Sequence, residues 1–237
     1  MTSRTPLGPK TALDTQTLSL PYTQASVTRT ILSCAPRKPP SQPTTSSSPS
    51  PSAWFAYEIV YWSLDPARDK KEKPEFRVFE AFDGEAPEGL TRLNEELHFS
   101  ARCEGRKARV LASKVPAAKR VEIGAEEGLE GEGEGEQERL DIAFIAHIPI
   151  KPSCLSQAKA FLIGPYAAAI HAESCTQHWY ALQLDDTTLG LFGAWKGEEE
   201  LRQHMEGGAV DMLDRGIEPF MSGPFDRRKG SMIAYKI

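Results

Sequence analysis

The sequence lacks most of the features that announce a function directly. Its 237 residues contain four cysteines, Cys34, Cys103, Cys154 and Cys175, too scattered for a Cys-x-x-Cys zinc or redox motif and without a His-x-x-x-His partner. Free thiols in a reducing compartment are expected. There is no Gly-x-Ser-x-Gly elbow, no phosphate loop and no dinucleotide fingerprint, which argues against covalent hydrolysis and nucleotide-dependent chemistry. The histidines have no carboxylates at facial-triad spacing, so metal dependence is not expected. No apolar run approaches the ~20 residues that span a bilayer, and the amino terminus lacks the apolar core of a secretory signal; no membrane partner is expected. Basic residues are sparse and have no aromatics spaced for base stacking, so nucleic acid is not expected either.

What is present suffices for one medium domain or two small ones: 40% of residues are apolar, 26% charged and 8% aromatic. The net charge of −5 hides a split. Residues 1–53 carry Arg4, Lys10, Arg29, Arg37 and Lys38 against Asp14 alone, whereas the stretch around 126–138 is almost purely acidic. Residues 35–52, APRKPPSQPTTSSSPSPS, are too rich in Pro and Ser to offset backbone ordering by burial. Residues 1–52 are therefore expected to be a disordered or poorly ordered leader. Its Ser/Thr-rich, acid-poor composition is compatible with organelle targeting, but Pro6 and Pro9 interrupt any early amphipathic helix, and a cytoplasmic location is expected. A second break, GAEEGLEGEGEGEQE at 124–138, alternates flexible Gly with self-repelling Glu, and an acidic linker is assigned to 122–139.

The piece after that linker, 140–237, has the clearer pattern. DIAFIAHIPI at 141–150 is almost continuously apolar, as for a strand covered on both faces. Pro152 and Ser153 break it and start a helix over about 154–173, which Gly164-Pro165 should kink. QHWYALQL (177–184) and LGLFGAW (189–195), joined by Asp185-Asp186-Thr187-Thr188, predict a hairpin. Gly197-Glu198-Glu199-Glu200 starts a second helix with an acidic first turn, and 231–237 forms a last strand. The order is β-α-β-β-α-β, the ferredoxin-like α+β arrangement.

The first folded piece, 53–121, repeats parts of this pattern in the same order. Trp54-Phe55-Ala56 matches Trp179-Tyr180-Ala181. The run 79–85 (FEAFDGE) matches 192–198 (FGAWKGE), and 106–114 (RKARVLASK) matches 228–236 (RKGSMIAYK). The copy is incomplete. The place of its first strand and helix falls in 19–52, where only 25–33 looks strand-like.

Ile148-Pro149-Ile150-Lys151-Pro152 at the end of the first strand, and the Trp-x8-His spacing from Trp195 to His204 in WKGEEELRQH, resemble the antibiotic-biosynthesis-monooxygenase (ABM) family of dimeric α/β barrels. The family often has a Glu two residues before the Trp. Here that position is Gly193, while the first copy keeps Glu80 with Phe82 in place of the Trp and its His position near Leu93. The resemblance implies a barrel made of two sheets. A tandem repeat would build it within one chain, as a monomeric pseudo-dimer, with a homodimer the alternative. It also implies a hydrophobic aromatic small molecule as substrate.

The candidate catalytic residues are His204, Tyr180, Trp195 and His147; the candidate substrate contacts are His178, Tyr166, His171 and Phe192. Trp195 ends a strand and His204 lies on the following helix, so the two could border one pocket between sheet and helices; equally, Trp195 could be core and His204 a surface residue. Tyr180 could donate to a substrate oxygen or be a core aromatic. His178 shares its strand face, being two residues away. His147 sits in an apolar strand, where a buried histidine can act as a base or serve only as a hydrogen-bonded structural group. Tyr166 and His171 lie on the first helix and could reach the same pocket.

Three functions follow. The first is a cofactor-independent oxygenase of a phenolic, quinol or polyketide-like aromatic, in which deprotonation lets the substrate reduce oxygen inside an apolar pocket. The second is a non-oxidative decarboxylase or cyclase of the same fold. The third is a non-catalytic barrel that binds a ligand or protein.

Overall fold

The computed structural model describes residues 11–19, 53–60, 76–82, 102–116 and 139–236. The proposed linkers at 35–52 and 124–138, the strand expected at 25–33 and the region of Leu93 lie outside the described residues. The described residues form eight strands: β1 (Thr11–Ser19), β2 (Ala53–Val60), β3 (Phe76–Phe82), β4 (Arg102–Lys114), β5 (Ile142–Pro149), β6 (His178–Gln183), β7 (Thr188–Trp195) and β8 (Asp226–Lys236). They are hydrogen-bonded antiparallel in the order β1-β3-β2-β8-β5-β7-β6-β4, and β4 pairs back onto β1, so the curled sheet closes into a barrel.

Each set of four strands has the same internal order. Reading across the sheet, β4-β1-β3-β2 is followed by β8-β5-β7-β6, the arrangement a β-α-β-β-α-β chain produces. The registers agree as well. Where the halves meet, Trp54 faces Lys236 and Ala56 faces Ala234, while at the other junction Trp179 faces Lys114 and Ala181 faces Ala112. Each junction carries one register shift, which leaves Ile233 on β8 and Leu111 on β4 as the extra residues. Ile233 and Leu111 are matched residues in the sequence repeat.

Strand faces follow the period of two. On β3, Arg77, Phe79 and Ala81 alternate with Val78, Glu80 and Phe82, and all six are buried, so both faces are covered. Phe55, Phe79, Tyr180 and Phe192 meet in the barrel centre, where the Phe79 and Phe192 rings stack at 4.2 Å and 8°. Because β2 and β6 are not sheet neighbours, the Phe55–Tyr180 ring contact at 6.5 Å crosses the interior.

The helices of the second half cover its outer sheet face. They are α1 (Leu155–Phe161), α2 (Ala167–Ala172), α3 (Glu198–Met205) and α4 (Gly208–Ile217). Between α1 and α2 a wider π turn spans Leu162–Tyr166 and contains Pro165. Proline has no N–H to donate and crowds the carbonyl four residues back, so the expected kink at Gly164-Pro165 takes this form. Ala158, Leu162, Tyr166, Ile170, Leu213 and Ile217 pack on outward residues of the sheet that include Ala146, Ile148, Trp179 and Leu191. The hairpin turn is held by Asp185, whose Oδ1 accepts from the Thr187 N–H at 2.8 Å and from its hydroxyl at 2.9 Å.

Two expectations change. Thr11–Ser19, placed from sequence in an unordered leader, is strand β1 and pairs with β3 and β4. Its run TALDTQTLS has no apolar stretch to mark it, and its pairing partners come from later in the chain. The last strand begins at Asp226, not 231; its charged beginning, DRRKG, hides a segment whose backbone is paired with β5.

Candidate functional site

The candidate residues fall on two sides of the sheet. Tyr180, Phe192, His178 and His147 face the barrel interior. Tyr180 lies 5.0 Å from Phe79 and 6.1 Å from Phe192, ring to ring, and the His178 ring packs edgewise on Phe55 at 5.5 Å. His147 shares the inward face of β5 with Ala143 and brings Nδ1 to 4.0 Å from Asp226 Oδ2. Burial would raise the Asp226 carboxyl, but the hydrogen bond and charge of Arg228, aided by His147 and Arg77, hold it below its usual range.

Trp195, His204 and Tyr166 lie on the outer face, beneath the helices. The Tyr166 ring meets Trp179 edgewise at 5.5 Å, and burial pushes its phenol pKa upward. The exposed His171 sits on the outer surface of α2. Trp195 and His204 are therefore brought together, with ring centroids 5.0 Å apart, but Tyr180 is not with them. The sheet itself separates them, because residue 180 of β6 and residue 195 of β7 point to opposite faces. A shallow surface groove lined by Asp214, Arg215, Glu218, Met221, Phe225 and Arg227 includes none of the candidates.

Around Trp195 and His204 the structure adds two residues that sequence analysis missed. Glu173 and Thr176 lie on the link between α2 and β6. Glu173 Oε2 is 2.8 Å from His204 Nδ1 and accepts from the Thr176 hydroxyl at 2.7 Å. That hydroxyl in turn accepts from Trp195 Nε1 at 3.3 Å. Thr176, Trp195 and His204 are buried, and the Glu173 side chain is 13% exposed. A carboxylate on Nδ1 sets the imidazole so that Nδ1 carries the proton and Nε2 holds the lone pair. Glu173 and His204 are 31 residues apart, with no local spacing to pair them. The visible signal was a polar cluster, Glu173 to Gln177, placed just before a buried strand.

The site also explains the glycine at 193. A Cβ there would stand 2.4 Å from Cη2 of the Trp195 ring, so the indole lies flat over the strand where a side chain would begin. The Trp195 position seen here and a Glu at 193 exclude one another. Glu80, on β3 two residues before Phe82, is buried, 6% exposed.

Among the described residues no group of three or more His, Cys, Asp or Glu is placed to hold a metal ion, and no helix is long and apolar enough to cross a membrane. No protein-family model matches the chain, and no curated protein is significantly similar to it. Solved structures are similar in fold. A provisionally assigned monooxygenase from Fusobacterium nucleatum subsp. nucleatum ATCC 25586 superposes with a TM-score of 0.64 at 11% identity, covering 96% of this chain and 94% of that one. A provisionally assigned monooxygenase from Lactobacillus acidophilus NCFM gives 0.59 at 8% identity, with 95% of each chain covered. An anthrone oxidase-like protein gives 0.52 at 10% identity over 96% of this chain and 93% of that one. At these identities the likeness is one of fold, a ferredoxin-like α+β arrangement, and it extends over nearly the whole chain.

Proposed function

We propose that this chain is a small-molecule enzyme made of two ferredoxin-like copies, acting as a cofactor-independent oxygenase of a phenolic, quinol or polyketide-like aromatic. The observation that carries this reading is the buried Glu173–His204 pair beside Trp195. A carboxylate that orients an imidazole leaves the Nε2 lone pair as a base, beside the Trp195 ring. In the proposed reaction His204 takes the acidic proton of the substrate. The resulting anion reduces dioxygen, one oxygen atom entering the product as a carbonyl and the other leaving as water with the two hydrogens lost from the substrate. Trp195 and Thr176 hold the geometry of the pair. The tandem reading is supported by the repeated strand order, by the register shifts at matched residues, and by whole-length fold likeness to single chains.

Two alternatives use the same frame. Decarboxylation or cyclisation needs the same base without oxygen. A non-catalytic barrel is favoured by one specific observation: Tyr180 and Phe192 are fully buried among stacked rings, as core residues are.

Oxygen uptake with an anthrone or a hydroquinone as sole co-substrate tests the proposal. His204→Ala and Glu173→Gln should each lower turnover by a factor on the order of 10², and His171→Ala should leave it unchanged. Equal turnover in all four proteins would refute the assignment of the base. A folded wild-type protein that turns over none of these compounds would favour the binding barrel.

A further inference from the structure

Two of the four residues of the Glu173–Thr176–His204–Trp195 network stand on a short link without regular hydrogen bonding, between the end of α2 and the start of β6. Such a link does not position a carboxylate by itself. Its backbone is tied down from the other half of the barrel. Lys114, the last residue of β4, lies opposite Trp179 in register, and its ammonium donates to the Ile170 carbonyl at 2.9 Å and to the Glu173 carbonyl. The Glu173 N–H also donates to Ile170 O at 3.2 Å. One charged group thus gathers the carbonyls at the carboxy-terminal end of α2, where a cation is favoured by the helix dipole.

The cost of this placement is visible in the lysine itself. Burial pulls its pKa down, and the nearby negative charge of Glu173 opposes the shift. Burial also pushes the neighbouring Cys175 thiol upward. A lysine needed only for solubility would not be drawn into such surroundings.

We infer that Lys114 is a positioning residue of the proposed site, contributed by the first half of the chain, which holds Glu173 where it orients His204. This rests on the acid-base reading of His204. The first half is then part of the machinery of the second, not only a partner that closes the barrel.

Nitrogen-15 NMR of the histidine rings in the full-length protein tests the inference without relying on activity, with His204 identified by the resonances lost in His204→Gln. In the wild type, His204 should show one tautomer with the proton on Nδ1. Lys114→Met should move its ring nitrogens toward the averaged values of the exposed His171, and should lower kcat on hydroquinone about tenfold with little change in KM. Lys114→Arg, which keeps the charge and the donors, should restore both. If Lys114→Met does not fold, as judged by circular dichroism, Lys114→Gln takes its place under the same criterion. Wild-type ring resonances in a folded Lys114→Met or Lys114→Gln protein would overturn the inference. Ring resonances that respond to Lys114 in a protein with no turnover would leave the positioning intact and sink the oxygenase reading.

Discussion

Glu80 shows what a single side chain costs in a sheet covered on both faces. It points outward from β3 between Val78 and Phe82, each 2% exposed, and its Oε2 has no hydrogen-bond partner among the described residues. Removal from water pushes its pKa from 4.5 up to about 7. The folded-state value lies above the unfolded one, so Glu80's burial carries no charge penalty below pH 4.5. As pH rises from there, the unfolded chain releases the proton first, and stability falls until the folded carboxyl has also ionised, near pH 7. The expected loss across this window is about 3 kcal/mol. Urea unfolding at pH 4.5 and pH 8 should show this loss in the wild type and not in Glu80→Gln. Parallel pH dependence in the two proteins would show that the carboxyl is solvated in the native state.

At the scale of elements, the two sets of four strands are joined through their inner faces as well as by strand pairing. Phe79 on β3 and Phe192 on β7 come from different halves and stack with ring centroids 4.2 Å apart. Each should cost about 3–5 kcal/mol when truncated to alanine. Because they touch, the double variant should be less destabilised than the sum, by about 0.5–1.5 kcal/mol. Additive losses in denaturant titrations would mean that the halves do not share a core. Much of the secondary structure was visible in the sequence because its signals are local. The all-apolar run of β5, the Asp/Thr turn of the hairpin, the Gly-Pro kink and the acidic start of α3 each act over a few residues. Strand β1 carries no such signal, and the charged beginning of β8 resembles a loop; both are strands only because of the neighbours they pair with.

For the whole molecule, closure of the sheet removes exposed edges. Cutting the chain in the region 117–138 would reopen the edges of β6 and β8 and uncover Phe192 and Tyr180. Residues 139–237 expressed alone should therefore self-associate, pairing β6 of one copy with β8 of another, while the intact chain remains monomeric. Sedimentation equilibrium of both proteins checks this, and a stable, monomeric fragment would contradict it.

The sequence by itself determined the α+β fold class and the order of strands and helices in the second half, because hydrophobic period and turn chemistry are properties of neighbouring residues. It also brought Trp195 and His204 together, since one strand-to-helix junction spans both. Only the tertiary structure decided which side of the sheet each candidate faces, placing Tyr180 and Phe192 inside and Trp195 outside. Only it supplied Glu173, Thr176 and Lys114, whose partners on other elements lie 19 to 59 residues away. Facing depends on a register in which one residue of slip reverses every side chain. Contacts at such separations are made by the packing of helices on the sheet and, for Lys114, by the pairing of β4 with β6, which no local pattern encodes.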